Sequence, residues 1–138
     1  GLLMVSRIVS PYLIAKKSGH ILNLSSIAGQ EAYPGGVGYN ATKFAVNGIT
    51  KATKMDLHGT GVRVSMISPG AVKTEFSITR FKGDEERAES VYKGITPLIA
   101  EDISEIATFI LNRPEHVNIM DVVVYPTAQS AATMVYRS

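Results

Sequence analysis

The chain has 138 residues, of which 45% are hydrophobic and 19% charged, values typical of a globular domain large enough to enclose one core. A net charge of +2 without a long basic cluster argues against nucleic-acid binding, and no apolar run reaches the ~20 residues that a membrane-spanning helix needs. The chain contains no cysteine, which excludes a disulfide framework and a thiolate zinc site and fits a reducing compartment, so we expect a cytoplasmic location.

The first segment, "GLLMVSRIVSPYLIAKKSG", carries apolar residues at helical spacing and is predicted to be a helix that Pro11 interrupts or kinks. Two lysines followed by Gly19 are typical of a helix end. Because the chain starts with Gly1 and an apolar run rather than with methionine, we expect it to be a piece of a longer protein.

Two apolar segments in the middle of the chain are predicted to be buried strands. "HILNLSS" ends in two hydroxyl residues and leads into the Gly- and Pro-rich loop "IAGQEAYPGGVG". A long amphipathic helix is predicted from about residue 39 to 58. "VRVSMIS" is the second strand, and "PGAVKTEF" leaves it as a loop.

The remaining segments complete an alternation of helices and strands. "DEERAESVYKG" is predicted to be a short charged helix, "AEDISEIATFILNR" another helix, and "VNIMDVVVYP" the last strand. This order indicates an α/β fold, a doubly wound parallel sheet covered by helices on both faces. With no internal repeat, residues 1–138 are expected to form a single domain whose site lies at the carboxyl ends of the strands.

Two Tyr-x-x-x-Lys pairs, Tyr12 with Lys16 and Tyr39 with Lys43, each place a phenol and an amine on one helix face. The second pair opens the helix that follows the hydroxyl-ending strand, so it belongs to the functional edge of the sheet, whereas the first belongs to the opposite edge. An ammonium about 4 Å away could lower the phenol pKa by up to about three units, less a desolvation effect. Tyr39 is therefore a candidate acid or base, and Ser26 could polarise a substrate carbonyl.

The segments "LNLSSIAG", "YNATK" and "ISPGAVKTEF", in that order, resemble the short-chain dehydrogenase/reductase family over essentially the whole chain. The resemblance implies a Rossmann-type fold and hydride transfer with NADP or NAD. It implies that Tyr39 is the acid/base, that Lys43 lowers the pKa of Tyr39 and binds the nicotinamide ribose, and that Ser26 orients the substrate. The cofactor-binding residues that it implies are Tyr39, Lys43, Pro69, Gly70, Val72 and Thr74. The pair Tyr12 and Lys16 lacks such neighbours and is interpreted as a coincidence.

Three later segments, "RFKGDEERAESVYKG", "RPEHVNI" and "PTAQSAATMVYR", are similar to the NADP-dependent branch of the family that acts on serine and other 3-hydroxy acids. A substrate carboxylate calls for a cation, and Arg80 and Lys82 are candidates. We assign Arg80 to substrate binding together with Ser26 and Tyr39. The resemblance also implies a homo-oligomer, either a dimer or a tetramer. From the charge and the lack of a long apolar run we expect no nucleic-acid partner and no membrane partner.

The family's glycine-rich phosphate loop, first strands and catalytic asparagine have no counterpart in this sequence. We therefore expect the chain to be the carboxyl-terminal part of the enzyme and to be inactive by itself. An alternative function is a non-catalytic Rossmann-like scaffold, and a further alternative is the same family acting on a sugar, a steroid or an acyl thioester. NADP and NAD both stay open, because the residue that discriminates between them lies upstream.

Several polar residues also have structural interpretations. Thr74 is equally a candidate helix cap, and Arg80 and Lys82 are equally candidate solvated cations. Glu31 and Glu75 are expected to be solvated or capping residues. The three histidines lack the spacing of metal ligands and are expected to be structural, so we predict no metal site.

Overall fold

The computed structural model describes residues 1–80 and 82–138. These residues form, in chain order, α1 (Leu2–Lys16), β1 (Gly19–Leu24), a 3₁₀ turn (Ile27–Gly29), α2 (Val37–Asp56), β2 (Val62–Pro69), α3 (Phe76–Arg80), α4 (Glu85–Ser90), α5 (Ala100–Leu111) and β3 (Asp121–Val124). No helix within the described residues is both long and apolar enough to cross a membrane.

The three strands form one parallel sheet in the order β1-β2-β3, as the alternation of elements predicted. In the register, Leu24 lies opposite Ile67, and Pro69 lies opposite Val124. The carboxyl ends of the strands therefore meet at one edge of the sheet. The loops that follow β1 and β2 lie side by side there.

Helices cover both faces of the sheet, which confirms the predicted α/β architecture. Asn23 of β1 donates a hydrogen bond to Thr50 of α2, with 2.9 Å between nitrogen and oxygen, so this face carries α2. The neighbouring residues Leu22 and Leu24 point to the other face because side chains alternate along a strand, and they share a cleft with Ile103 of α5. Helix α1 packs against β1 and also contacts α2.

Pro11 lies inside α1, which is continuous from Leu2 to Lys16, so of the two predicted effects, an interruption or a kink, the interruption is wrong. A proline removes only one N–H donor from the helix ladder, and the adjacent turns keep theirs. The predicted helix end is confirmed: α1 ends at Lys16, and Lys17 adopts a left-handed conformation with φ of 52°.

The last strand is shorter than predicted, because the side chain of Asn118 takes the place of a strand residue. Its Oδ1 accepts a hydrogen bond from Val64 N at 3.1 Å, and its Nδ2 donates to Val64 O at 2.8 Å. Asn118 thereby satisfies the β2 backbone before β3 begins at Asp121.

The segment between β2 and α5 also differs from prediction. A short helix, α3, begins at Phe76, the last residue of the predicted loop, and continues through residues to which no element was assigned. Helix α4 ends at Ser90 rather than continuing through "VYKG". Tyr92 turns inward instead: its hydroxyl lies 2.6 Å from Ser77 Oγ and donates to Val72 O at 2.9 Å. These bonds attach α3 and α4 to the loop after β2.

Within the described residues β1 lies at an edge of the sheet. Helix α1 beside it exposes a set of large apolar side chains: Leu3, Met4, Val5, Ile8 and Tyr12. An unpaired strand edge next to exposed apolar surface is a typical site of association with further chain or with another molecule.

Candidate active site

A cleft of about 740 Å³ opens at the carboxyl ends of β1 and β2. It brings together the candidates that the sequence predicted there: Ser26, Tyr39, Lys43, Pro69, Gly70, Val72, Thr74 and Arg80 all line it. Tyr12 does not, and its side chain is 70% exposed on α1. The choice between the two Tyr-x-x-x-Lys pairs thus agrees with the position of the cleft.

Ser26 is buried and caps the 3₁₀ turn that follows β1. Its Oγ accepts a hydrogen bond from Ala28 N at 3.1 Å, which orients the hydroxyl toward the cleft. The hydroxyl also makes a side-chain hydrogen bond with Tyr39 and lies 3.4 Å from Pro69 O. Ser26 therefore joins the end of β1 to the phenol and to the end of β2.

Tyr39 stands in the first turn of α2, and its ring packs against Phe76 with 5.4 Å between the ring centroids. Burial raises the pKa of the Tyr39 phenol above its ordinary value, and the neighbouring Tyr33 acts in the same direction. The hydrogen bond from Ser26 and the charge of Arg80 lower that pKa, but burial outweighs them. The neutral phenol is the favoured form in this structure.

Lys43 follows Tyr39 by one helical turn. Its Nζ donates a hydrogen bond to Leu24 O at 3.2 Å and lies 5.7 Å from the centroid of the Tyr39 ring. Burial lowers the pKa of the Lys43 amine. The predicted effect of this lysine on the pKa of Tyr39 stays a prediction; burial of the phenol dominates and raises that pKa.

The loop after β2 forms the second wall of the cleft. Gln129 holds it from behind: its Oε1 accepts a hydrogen bond from Ala71 N at 2.9 Å, and a Cβ at Gly70 would collide with this amide. Thr74 Oγ1 accepts from Phe76 N at 3.3 Å, so the predicted capping contact at the start of α3 is present. Thr74 also lines the cleft, and its role in binding the cofactor stays a prediction.

Arg80 lies close to two phenol rings. Its Cζ is 5.7 Å from the centroid of the Tyr33 ring and 5.9 Å from that of Tyr39. Lys82 has a left-handed backbone with φ of 56°, and it is not among the described residues that line the cleft. Of the two candidate cations, Arg80 is therefore the one beside the catalytic candidates.

Several cleft residues were not predicted from the sequence. Tyr33 and Phe76 contribute aromatic walls, and Gln129 supports the loop after β2. Glu31 was expected to be solvated or capping, but its carboxylate accepts hydrogen bonds from Ala132 N at 2.8 Å and from Tyr125 OH at 3.3 Å. Only Tyr33 carried a signal, as an aromatic residue inside a Gly-rich loop next to the candidate serine.

The cleft fits the nicotinamide and ribose half of a dinucleotide. Lys43 offers an amine, the backbone of residues 69–72 borders the opening, and Leu24 and Ile67 supply an apolar surface for a flat ring. A pyrophosphate would need a short glycine-rich turn that leads directly from a strand into a helix. The glycine-containing loop between β1 and α2 is long and includes the 3₁₀ turn, so no such short turn occurs within the described residues.

A parallel α/β sheet with a serine, a tyrosine and a lysine gathered at the carboxyl ends of its strands is a Rossmann-type domain. The model of the short chain dehydrogenase family matches residues 1–85, more than half of the chain. The chain belongs to the short-chain dehydrogenase family, which confirms the resemblance seen in the sequence.

The similar proteins include enzymes that act on hydroxy acids. The chain is 44% identical over 137 residues to the NADP-dependent 3-hydroxy acid dehydrogenase of Schizosaccharomyces pombe, covering 99% of this chain and 53% of that protein. It is 45% identical over 140 residues to the NADP-dependent 3-hydroxy acid dehydrogenase YdfG of Salmonella typhi, with coverages of 100% and 56%. The closed form of serine dehydrogenase complexed with NADP+ superposes with a TM-score of 0.90 at 43% identity, covering 96% of this chain and 54% of that one. The chain thus spans about half the length of these relatives.

Proposed function

We propose that these residues form the chemical half of an NADP-dependent oxidoreductase that oxidises the hydroxyl group of serine or another 3-hydroxy acid. The observation that carries the proposal is the convergence of Ser26, Tyr39 and Lys43 at one cleft. The similarity to two 3-hydroxy acid dehydrogenases and a serine dehydrogenase supports the substrate class.

In this proposal the phenolate form of Tyr39 takes the proton of the substrate hydroxyl during oxidation, and the resulting phenol returns a proton to the substrate oxygen during reduction. Ser26 already bonds to the Tyr39 phenol, so its hydroxyl can orient the substrate oxygen beside that phenol and stabilise the phenolate. Lys43, anchored by Leu24 O, adds a donor on the same side of the cleft. Ser26, Tyr39 and Lys43 would therefore all act at the substrate hydroxyl group, on its oxygen and its proton.

The cofactor would be held by Lys43 and by the loop after β2, with Tyr39 at its reactive edge. The loop residues concerned are Pro69, Gly70, Val72 and Thr74. A nicotinamide bound there supplies the acceptor for the hydride that leaves the substrate carbon. NADP is favoured over NAD by the names of the similar enzymes, although a neighbour of lower similarity, 4-hydroxyisoleucine dehydrogenase, is complexed with NADH.

The substrate carboxylate would bind to Arg80. Its guanidinium lies beside the rings of Tyr33 and Tyr39, so a carboxylate paired with it would place the neighbouring carbons at the catalytic phenol. Arg80 thus provides a reason for acids to be preferred over neutral alcohols.

A second proposal is that the 138-residue chain alone has no oxidoreductase activity and acts only when joined to further chain or to another copy. The observations that favour it are the length of the chain, about half that of its relatives, and the edge position of β1. A homodimer or homotetramer of the complete protein belongs to the same proposal. The missing neighbours of β1 would then come from the remaining part of the protein.

The test is a substrate panel with the complete protein that carries these residues. NADPH formation would be followed with L-serine, other 3-hydroxy acids, neutral alcohols, a sugar and a steroid alcohol. We expect turnover with NADP on at least one 3-hydroxy acid and weaker turnover on the uncharged compounds. Lack of turnover on every 3-hydroxy acid would refute the substrate class, and lack of turnover on all substrates with both NADP and NAD would favour the scaffold.

A further inference from the structure

A buried asparagine next to Tyr39 ties α2 to the loop that carries Ser26. Asn40 is only 6% exposed. Its Nδ2 donates hydrogen bonds to Ala28 O at 2.9 Å and to Glu31 O at 3.1 Å, and its Oδ1 accepts from Tyr33 N at 3.4 Å. One side chain therefore holds three points of the loop between the serine and the helix.

A second asparagine, two helical turns further along the same face of α2, holds the other side of that loop. Asn47 is buried, donates to Gly29 O at 2.9 Å, and accepts a hydrogen bond from Ser25 Oγ. Gly29 approaches α2 so closely that a Cβ there would lie 2.7 Å from Lys43 O. The loop and the helix are thus in backbone contact between the two asparagines.

We propose that Asn40 and Asn47 are positioning residues that fix the separation of Ser26 from Tyr39. The inference rests on the proposed function and assigns to these two amides a role in that reaction. Neither asparagine lines the cleft, so they act through the loop and not through the substrate.

The physical reason is that the two hydroxyl groups stand on different elements. Ser26 belongs to the 3₁₀ turn after β1, and Tyr39 belongs to α2, so their hydrogen bond depends on how firmly the turn is held against the helix. Backbone carbonyls bonded by buried amides fix that distance better than apolar contacts, because a hydrogen bond has a required length and direction. A displacement of about 1 Å in such an arrangement is enough to lower a rate about 100-fold.

The variants are Asn40→Ala and Asn47→Ala in the complete protein, with Thr50→Val as the matched control. Thr50 lies on the same buried face of α2 and is 0% exposed, but it bonds to Asn23 within β1 and not to the loop. All three variants remove buried hydrogen bonds and should lower the melting temperature. Only the first two loosen the loop that carries Ser26.

Two readouts separate positioning from stability. The first is the titration of the Tyr39 phenol, followed by NMR of ¹³C-labelled tyrosine and assigned with Tyr39→Phe. The second is the pH profile of kcat. We expect Asn40→Ala and Asn47→Ala to move the titration to higher pH and to lower kcat at neutral pH about tenfold or more, with a smaller change in KM. Thr50→Val should leave both readouts within about twofold of the wild type.

An unchanged Tyr39 titration in both asparagine variants, together with kcat within about twofold, would overturn the proposal. If Asn40→Ala does not fold, Asn47→Ala provides the same readouts. The titration needs no turnover, so an inactive wild-type protein would refute the proposed function while the phenol titration still decides whether the asparagines position Ser26.

Discussion

Lys43 Nζ lies 5.7 Å from the centroid of the Tyr39 ring, one turn along α2, and is anchored by Leu24 O. Burial lowers the pKa of the lysine and raises that of the tyrosine, so it favours the uncharged form of each group. Ser26 and Arg80 are the groups that lower the pKa of the Tyr39 phenol and so favour its phenolate form. The lysine is best understood as a donor held at the cleft by two elements, β1 and α2.

Replacing Tyr39 by Phe should lower kcat of the complete protein by about 10²- to 10⁴-fold, the usual contribution of a general acid or base. The ring contact with Phe76 should be retained, so folding should be unaffected. Tyr12→Phe is the control, because Tyr12 is exposed and far from the cleft. Steady-state kinetics and circular dichroism check both; a near-native rate for Tyr39→Phe would identify the wrong tyrosine.

Replacing Ser26 by Ala should move the acidic limb of the pH–rate profile for oxidation, where the rate rises as the phenolate forms, to higher pH. The Ser26 hydrogen bond lowers the pKa of Tyr39, so its loss lets burial raise that pKa further, and the phenolate then forms only at higher pH. The rate at neutral pH should fall accordingly. Thr42→Ala removes an exposed hydroxyl from the same turn of α2 and should leave the profile unchanged. Identical profiles for Ser26→Ala and the wild type would contradict the argument.

Replacing Arg80 by Ala should raise KM for hydroxy acids about 10- to 100-fold and change KM for neutral alcohols much less. A charge-assisted hydrogen bond contributes about 1.5–3 kcal/mol, which corresponds to that range. Lys82→Ala is the matched control, since the side chain lies in the next loop and does not line the cleft. Equal effects of Arg80→Ala on acids and alcohols would remove this residue from carboxylate binding.

The 138-residue chain alone should bind NADPH only weakly, with Kd above about 1 mM. Much of the affinity for a dinucleotide comes from pyrophosphate held at a short glycine-rich turn that leads directly from a strand into a helix, and no such turn occurs in the described residues. Fluorescence or calorimetric titration of the purified chain measures this, with the complete protein as the positive control. Stoichiometric binding below 1 mM, or any NADPH-dependent turnover, would show that this half is sufficient.

Acid should destabilise the protein through His20. The Ser65 hydroxyl donates to Ile119 O, so it accepts from His20 Nε2, while the buried His20 Nδ1 has no hydrogen-bond partner among the described residues. Burial first, then the charges of Arg63 and Lys54, lower the pKa of His20 from 6.5 to about 4.

Below pH 6.5 the unfolded chain binds a proton at His20, whereas the folded chain binds it only near pH 4. Because the unfolded state binds more protons in this interval, the free energy of unfolding falls as the pH drops from 6.5 to about 4. Urea unfolding at pH 7.5 and pH 5 measures the loss. His20→Gln keeps a donor for Ser65 without a titrating group, so its loss between the two pH values should be smaller. An equal loss in variant and wild type would show that His20 is not responsible.

Much of the site was predictable because its signals are local. Ser26 follows the end of β1, and Tyr39 and Lys43 lie in the first two turns of the next long helix. The rule that sites lie at the carboxyl ends of parallel strands is therefore enough to place them at one edge of the sheet. The contribution of Gln129 and the approach of Arg80 to the Tyr33 ring were not predictable, because they depend on contacts between distant segments. The raised pKa of Tyr39 was not predictable either, because the burial of its phenol depends on tertiary packing.

The errors in the elements have similar physical causes. The last strand is shorter than predicted because Asn118, a side chain, satisfies the backbone of Val64. Helix α3 has only five residues and no apolar repeat long enough to reveal it. Tyr92 leaves the predicted helix because its hydroxyl finds partners in Ser77 and the Val72 carbonyl.

The close approach of the loop to α2 also limits how this cleft can be redesigned. A Cβ at Gly29 would meet the Lys43 carbonyl, and one at Gly36 would collide with Asn40 and Tyr33, so this wall accepts no added side chain without moving the catalytic groups. The opposite wall has one such restriction, at Gly70, where a Cβ would collide with the Gln129 amide, but its residue Phe76 is half-exposed and already carries a large side chain. Substitution libraries intended to change the accepted alcohol should therefore randomise Phe76 and its neighbours in α3 and keep Gly29, Gly36 and Gly70 constant.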